Sequence, residues 1–388
     1  MLGFCTTLTA IWFVVYLFLH DVFNSLTGMT TGITIVMFVQ IFFAPAFNFW
    51  SAKQRYEYKY KLLVILSLVI SIVSPALGIP LVLTTSEKGV SKIVSNVFAL
   101  IVVAIPLYVY LQSSGKKFYV KKYWKYALAF NLPLIPHYLS STILNQSDRV
   151  MIARMCGQSE AGIYGLAYTL GMVGVIFNQA IMNSFTPYTY QNLRDKKYVG
   201  IRKNAQYLVL FIAIISIGLV LVAPEIIWIL GGDKYAEGIW VVAPVSASIY
   251  FQFLYAMYGN IEFYYEENLF IMFASIGAAG LNIVLNYIFI KLYGFVAAGY
   301  TTLVCYVLYA FFHYKFSSYV LKKHTGGMKH LYNDKFVLLC AVAVIVLSLL
   351  LMSLYNYPVI RYLVVAGILV AMFICRKRIK NILQKIRK

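Results

Sequence analysis

The richest collection of chemically competent side chains lies in one stretch, LPLIPHYLSSTILNQSDRVMIARM, residues 132–155. Asn131 precedes it, and His137, Asn145, Gln146, Asp148, Arg149 and Arg154 follow along it. In an apolar chain such groups are costly at membrane depth and normally face a bundle interior or a wet cavity. Two readings of Asp148 and Arg149 stand side by side. They line a lumen, or they sit at the outer interface and pair locally. His137 reads as a packing histidine whose hydrogen bonds are satisfied. Pro133 and Pro136 free backbone carbonyls and predict a kink at the start of the helix. A second set, LNIVLNYIFI at 281–290, places Asn282 and Asn286 four residues apart. They therefore share one helix face, where asparagines commonly bond neighbouring helices. Asn178, Gln179 and Asn183 form a third polar face. Upstream of it, Gly162, Gly165, Gly171 and Gly174 predict close helix packing.

Other chemistry is missing from the sequence. No Walker motif is present, which excludes an ATP-driven pump on a single chain, and the HExxH, GxSxG and kinase sets are absent too. The chain reads as a non-enzyme with no catalytic residues. Its five cysteines are scattered without CxxC or zinc spacing, and its five histidines and thirteen acids suggest no metal cluster.

The elements that must position these groups follow from composition. Of 388 residues, 61% are hydrophobic and 12% charged, with a mean hydropathy of +0.77. Soluble domains run to about 45–50% apolar and about 25% charged. The long apolar runs mark a polytopic, all-α integral membrane protein and not a β-barrel. Cutting at charged residues leaves windows such as 62–86, 126–147, 161–193, 268–290 and 292–314. Twelve spans result, the last from Tyr357 to Cys375 with Arg361 reaching toward its outer end. The polar segments HDVFNSLTG and the end of 161–193 are read as loops. With Met1 in the cytoplasm, 26 of the 33 Lys and Arg fall on inner loops. That bias predicts both termini cytoplasmic, and it accounts for the net charge of +20 without a nucleic-acid partner. One inner loop, EFYYEE at 262–267, is acidic instead. The expected organisation is a first lobe of four spans (1–115) and a cytoplasmic linker (116–125). A second lobe of six spans follows (126–320), then two C-terminal spans with a basic tail (321–388).

Three segments together resemble one family. WSAKQRYEYKYKLLV (50–64), LNQSDRVMIARMCGQSEAGIYGLAYTL (144–170) and LNIVLNYIFIKLYGFVAAGYTTLVCY (281–306) are similar to signatures of the Wzx-type polysaccharide flippases. These belong to the superfamily that also holds drug/cation antiporters and lipid II flippases. The likeness implies a two-lobed bundle with a cleft opening alternately to each side, plus two C-terminal helices. Family members typically have fourteen spans. Residues 1–20 then match the third, so the first lobe here is expected to be two helices short, with Met1 a candidate for a mis-set start.

The resemblance implies a flippase for undecaprenyl-diphosphate-linked oligosaccharide in the bacterial cytoplasmic membrane, serving surface polysaccharide assembly. Membrane lipid, a polysaccharide polymerase and a chain-length regulator would be its partners. A wet cavity would hold the head group by Arg149, Arg154, Asp148, Asn178 and Gln179, arginine being favoured for its planar fork of donors. Related lipid II flippases imply a cation site at Asn282, Asn286 and Thr302, with Asn131 added. A coupling ion, sodium or proton, would bind there, with no other cofactor. Two alternatives are a cation-coupled multidrug exporter of the same superfamily and a truncated, non-transporting relative.

Overall fold

The computed structural model describes residues 1–374; Cys375 and the basic tail lie outside them. The described residues are helical, without a strand. The first four helices are α1 (Leu2–Thr27), α2 (Thr31–Tyr56), α3 (Tyr60–Thr84) and α4 (Lys88–Gly115). A short α5 (Lys121–Asn131) leads to α6 (Leu134–Met155), α7 (Gln158–Arg194), α8 (Tyr198–Leu221) and α9 (Ala223–Gly231). Then come α10 (Ile239–Tyr264), α11 (Asn268–Tyr293), α12 (Ala297–Thr325), α13 (Asp334–Ser353) and α14 (Pro358–Ile374).

A helix lies over each of the twelve predicted windows. Nine of those described are long and apolar enough to cross a membrane. The others are α14, short within the described residues, and α6 and α12, which are diluted by polar side chains. Those side chains point inward: His137 and Asp148 of α6 and Thr302 and His313 of α12 are all buried. A lipid-exposed helix could not carry them, but a helix packed among neighbours can.

Two segments expected to be loops are helical. HDVFNSLT continues α1, which bends at Leu19 (φ −120°) before ending on the left-handed Gly28. Helix α7 runs unbroken for 37 residues, or about 55 Å at 1.5 Å per residue. That exceeds the ~30 Å hydrocarbon thickness, so its polar end is helix beyond the bilayer. The proline prediction fares better. A turn at Leu132–Pro133 interrupts the helix between α5 and α6, where Pro133 has no N–H to continue the ladder.

By contacts the chain divides into two compact units, Met1–Ala129 and Phe130–Lys388. In the first, α4 packs on α2 and α3, and α1 on α2. Ala46, Ala99 and Ala104 fill the tight contacts, while much of the remaining apolar surface is left for lipid. In the second unit α10 is the central helix, touching α7, α8, α12 and α13. It is 72% buried over its apolar window, as an interior helix should be. Its approach to α7 depends on two of the four glycines. A Cβ at Gly171 would lie 2.5 Å from Val245, and one at Gly174 would lie 2.5 Å from Ile249. Gly162 and Gly165 face open space and do not serve packing.

Ion pairs tie down the ends. Arg361 of α14 is bonded to Glu225 of α9, which also accepts a 2.8 Å bond from Tyr362. The acidic loop finds its cations on the end of α12: Lys323 Nζ donates to Glu267 at 2.7 Å, and His324 lies 3.5 Å from the same oxygen. The Lys323 ammonium holds the Glu267 carboxyl below its ordinary range.

Candidate functional site

The second unit contains a buried polar cluster built by four helices. Asp148, near the C-terminal end of α6, is 1% exposed. Its Oδ1 accepts from the Asn286 amide of α11 at 2.6 Å. Its Oδ2 accepts from the Tyr164 hydroxyl of α7 at 2.6 Å and from Thr302 Oγ1 of α12 at 2.8 Å. Around this core, Asn286 also donates to Asn282 Oδ1 at 3.1 Å. Asn282 in turn donates to Thr302 at 3.3 Å and accepts from Ser147 at 2.8 Å. Thr301 is bonded to Asn286 Oδ1. One turn away, Asn145 Oδ1 accepts from Tyr306 at 2.9 Å and Tyr168 at 3.3 Å.

Every donor to Asp148 is neutral, and no Lys, Arg or His forms an ion pair with it among the described residues. A buried carboxylate without a counter-charge is expensive. Hydrogen bonds to a charged group return about 1.5–3 kcal/mol each, a partial offset. Carboxylate, amide and hydroxyl oxygens converge here, the donor set that hard cations prefer. Asn282, Asn286 and Thr302, expected together, are brought together. Asp148, expected in the head-group cavity, joins them instead and supplies the carboxylate that set lacked. Asn131 is exposed at the end of α5, and none of the bonds described for the cluster involves it.

Consecutive residues on a helix point about 100° apart, and Asp148 and Arg149 do so here. Arg149 is half-buried with its guanidinium carbon 4.9 Å from the centre of the Tyr168 ring. The local Asp148–Arg149 pair is therefore not formed. Arg154 is exposed on the last turn of α6.

A second feature of the same unit is a cavity of about 290 Å³ between α6, α7, α10 and α12. Asn178 and Gln179 line it, with Gln252, Asn260, Tyr138, Tyr255 and His313 among the rest of the wall. Asn178 Nδ2 donates to the Ile249 carbonyl at 2.9 Å, and its Oδ1 is buried without a partner. Of the five residues assigned to one head-group cavity, Asn178 and Gln179 occupy this one, while Asp148, Arg149 and Arg154 are not in its wall.

Behind the cavity, His313 Nδ1 lies 2.8 Å from Glu262 Oε2, with both side chains buried. His137 Nδ1 lies 2.5 Å from Ser275 Oγ, which lies 2.6 Å from the Tyr309 hydroxyl. The packing reading of His137 agrees with that bond. The Glu262–His313 pair was missed because its halves are 51 residues apart, and Glu262 reads as part of an acidic loop. Tyr164 and Tyr168 were within reach, since both belong to the quoted GIYGLAYTL segment, but nothing there named their partners.

Residues 1–193 match the profile of a family described as polysaccharide biosynthesis protein. Residues 133–288 match that of the MatE family. The bundle is similar to an outward-facing multidrug resistance MATE family transporter of the MOP superfamily. The TM-score is 0.67 at 13% identity, covering 83% of this chain and 77% of that one. It is similar also to a MATE in a bent conformation, with TM-score 0.65, 14% identity and coverage of 83% and 78%. Two overlapping family matches, to a polysaccharide biosynthesis family and to MatE, thus cover residues 1–288. The chain is 31% identical over 180 residues to a Haemophilus influenzae protein of the Lsg locus, 44% of either length. It is 27% identical over 204 residues to a second H. influenzae membrane protein, 49% of this chain and 48% of that one. The matches thus span about half the length of these curated relatives. The chain is a multi-pass membrane protein.

Proposed function

We propose that the chain moves a lipid-linked oligosaccharide, of the undecaprenyl-diphosphate type, outward across the bacterial cytoplasmic membrane, driven by a cation held at Asp148. The observation that carries the coupling is the buried carboxylate with neutral donors from three other helices. A bound cation or proton removes an uncompensated charge there and draws α6, α7, α11 and α12 together. Its release leaves them free to rearrange, the element that alternating access needs. The polysaccharide cargo is supported by the family matched over residues 1–193 and by the relative from the Lsg locus. A sugar chain and a diphosphate are both costly to drag through hydrocarbon. The lipid tail stays in the bilayer, and we assign the diphosphate to Arg149 and Arg154. We assign both termini to the cytoplasm, a reading supported by the basic inner loops. A polymerase and a chain-length regulator act on the product.

The test is complementation. Expressed in a strain lacking its own flippase, the chain is expected to restore surface polysaccharide. Arg154→Ala is expected to insert normally and restore less. Failure of the wild type to restore polymer, with raised resistance to cationic drugs instead, would favour the multidrug exporter of the same superfamily.

A further inference from the structure

The cavity between α6, α7, α10 and α12 has a lining that the charged parts of such a substrate would not select. Among the described residues its wall contains no Lys, Arg, Asp or Glu. Its two histidines are already engaged, His313 by Glu262 from behind at 2.8 Å and His137 by Ser275. Four amides face it instead, Asn178, Gln179, Gln252 and Asn260, together with the hydroxyl of Thr186. Much of their capacity is unspent. Gln252 forms no hydrogen bond among the described residues, and Asn178 Oδ1 is buried without a partner. Among the described residues Gln179 makes only a 3.4 Å bond to Asn183, through its amino group. Aromatic faces complete the wall, with Tyr138, Tyr255 and Phe263. Tyr255 is held in place by Tyr309 at 4.6 Å between ring centres.

We infer that this cavity binds an uncharged, polyhydroxylated ring, one sugar of the head group, and does not bind the diphosphate. Amides that both donate and accept match vicinal hydroxyls, and flat aromatic faces match the C–H face of a pyranose. A diphosphate would require cations, and an amphipathic cationic drug would require an exposed carboxylate; the wall offers neither. At about 290 Å³ the cavity lies at the small end of ligand sites, which run to roughly 300–1,000 Å³. It therefore takes one ring and leaves the rest of a repeat unit outside. Sugar and diphosphate are then read at separate places, and the amides set which sugar is accepted. A site built to hydrogen-bond hydroxyls discriminates strongly against analogues that lack them.

This assignment rests on the proposed oligosaccharide cargo, and binding to the full-length chain in nanodiscs separates the two. One probe is citronellyl diphosphate carrying N-acetylglucosamine; the other is citronellyl diphosphate alone. The wild type is expected to bind the sugar-bearing probe at least tenfold more tightly. The double variant Gln252→Met, Gln179→Met keeps side-chain volume and is expected to erase that difference while binding the bare diphosphate as before. Gln252→Asn should retain part of the preference, and an unchanged melting temperature verifies the fold. Equal affinity for both probes in the wild type, or a preference that survives the double variant, overturns the sugar site alone. A wild type that binds neither probe overturns the cargo reading and the sugar site with it.

Discussion

Asp148 can be tested one bond at a time. Asn286→Ala removes the donor to Oδ1 and leaves that oxygen buried and unpaired, at a cost of about 1–3 kcal/mol. Tyr164→Phe keeps the ring and removes one of two donors to Oδ2, with a smaller loss. Thermal melts in detergent should rank Asn286→Ala below Tyr164→Phe and both below wild type. Equal melting of all three would place the cluster outside the load of the fold. At this scale the sequence was half legible. The i, i+4 spacing of Asn282 and Asn286 announced a shared face. Asp148 was grouped with Arg149 because they adjoin in sequence, although the carboxylate meets a partner 138 residues away. Periodicity tells which way a side chain points along its own helix and does not tell which helix it meets.

Among the elements, α10 and α7 approach so closely that a single added side chain at either Gly171 or Gly174 would disturb the contact. At Gly174 a Cβ would crowd three atoms of Ile249, at 2.5, 2.9 and 3.3 Å. Gly174→Leu is therefore expected to cost about 1–3 kcal/mol by overpacking, while Gly165→Leu, facing open space, should be nearly neutral. The two melts should differ by several degrees, and identical melts would remove close α7–α10 packing as a support. Twelve helical windows could be read from apolar runs, because a helix in lipid must be about 20 residues long. Helix ends were less legible. HDVFNSLT and the last turns of α7 are polar, and polarity there marks the limit of the bilayer, where helical hydrogen bonding can continue.

For the whole molecule, the charge pattern makes a prediction about orientation. Ser86, between α3 and α4, and Ser113, near the end of α4, are both exposed and fall on opposite sides of the proposed membrane. In a cysteine-free background, Ser86→Cys should react in intact cells with a membrane-impermeant maleimide, and Ser113→Cys should react only after lysis. The reverse pattern would invert the topology. The acidic loop that broke the positive-inside trend is compensated in three dimensions, where Lys323 and His324 reach Glu267. Loop counts taken one segment at a time could not register a cation supplied by another helix.

Cation-coupled transport through Asp148 is most directly tested in proteoliposomes. The measurement is the rate at which a fluorescent lipid-diphosphate saccharide crosses the bilayer, with and without an imposed sodium or proton gradient. Wild type is expected to respond to one of the two gradients. Asp148→Asn, which keeps shape and removes the charge, is expected to insert and melt like a folded protein yet lose at least tenfold in gradient-driven rate, to the level seen without a gradient. A variant that transports at the wild-type rate with the same gradient dependence would contradict a coupling role for Asp148.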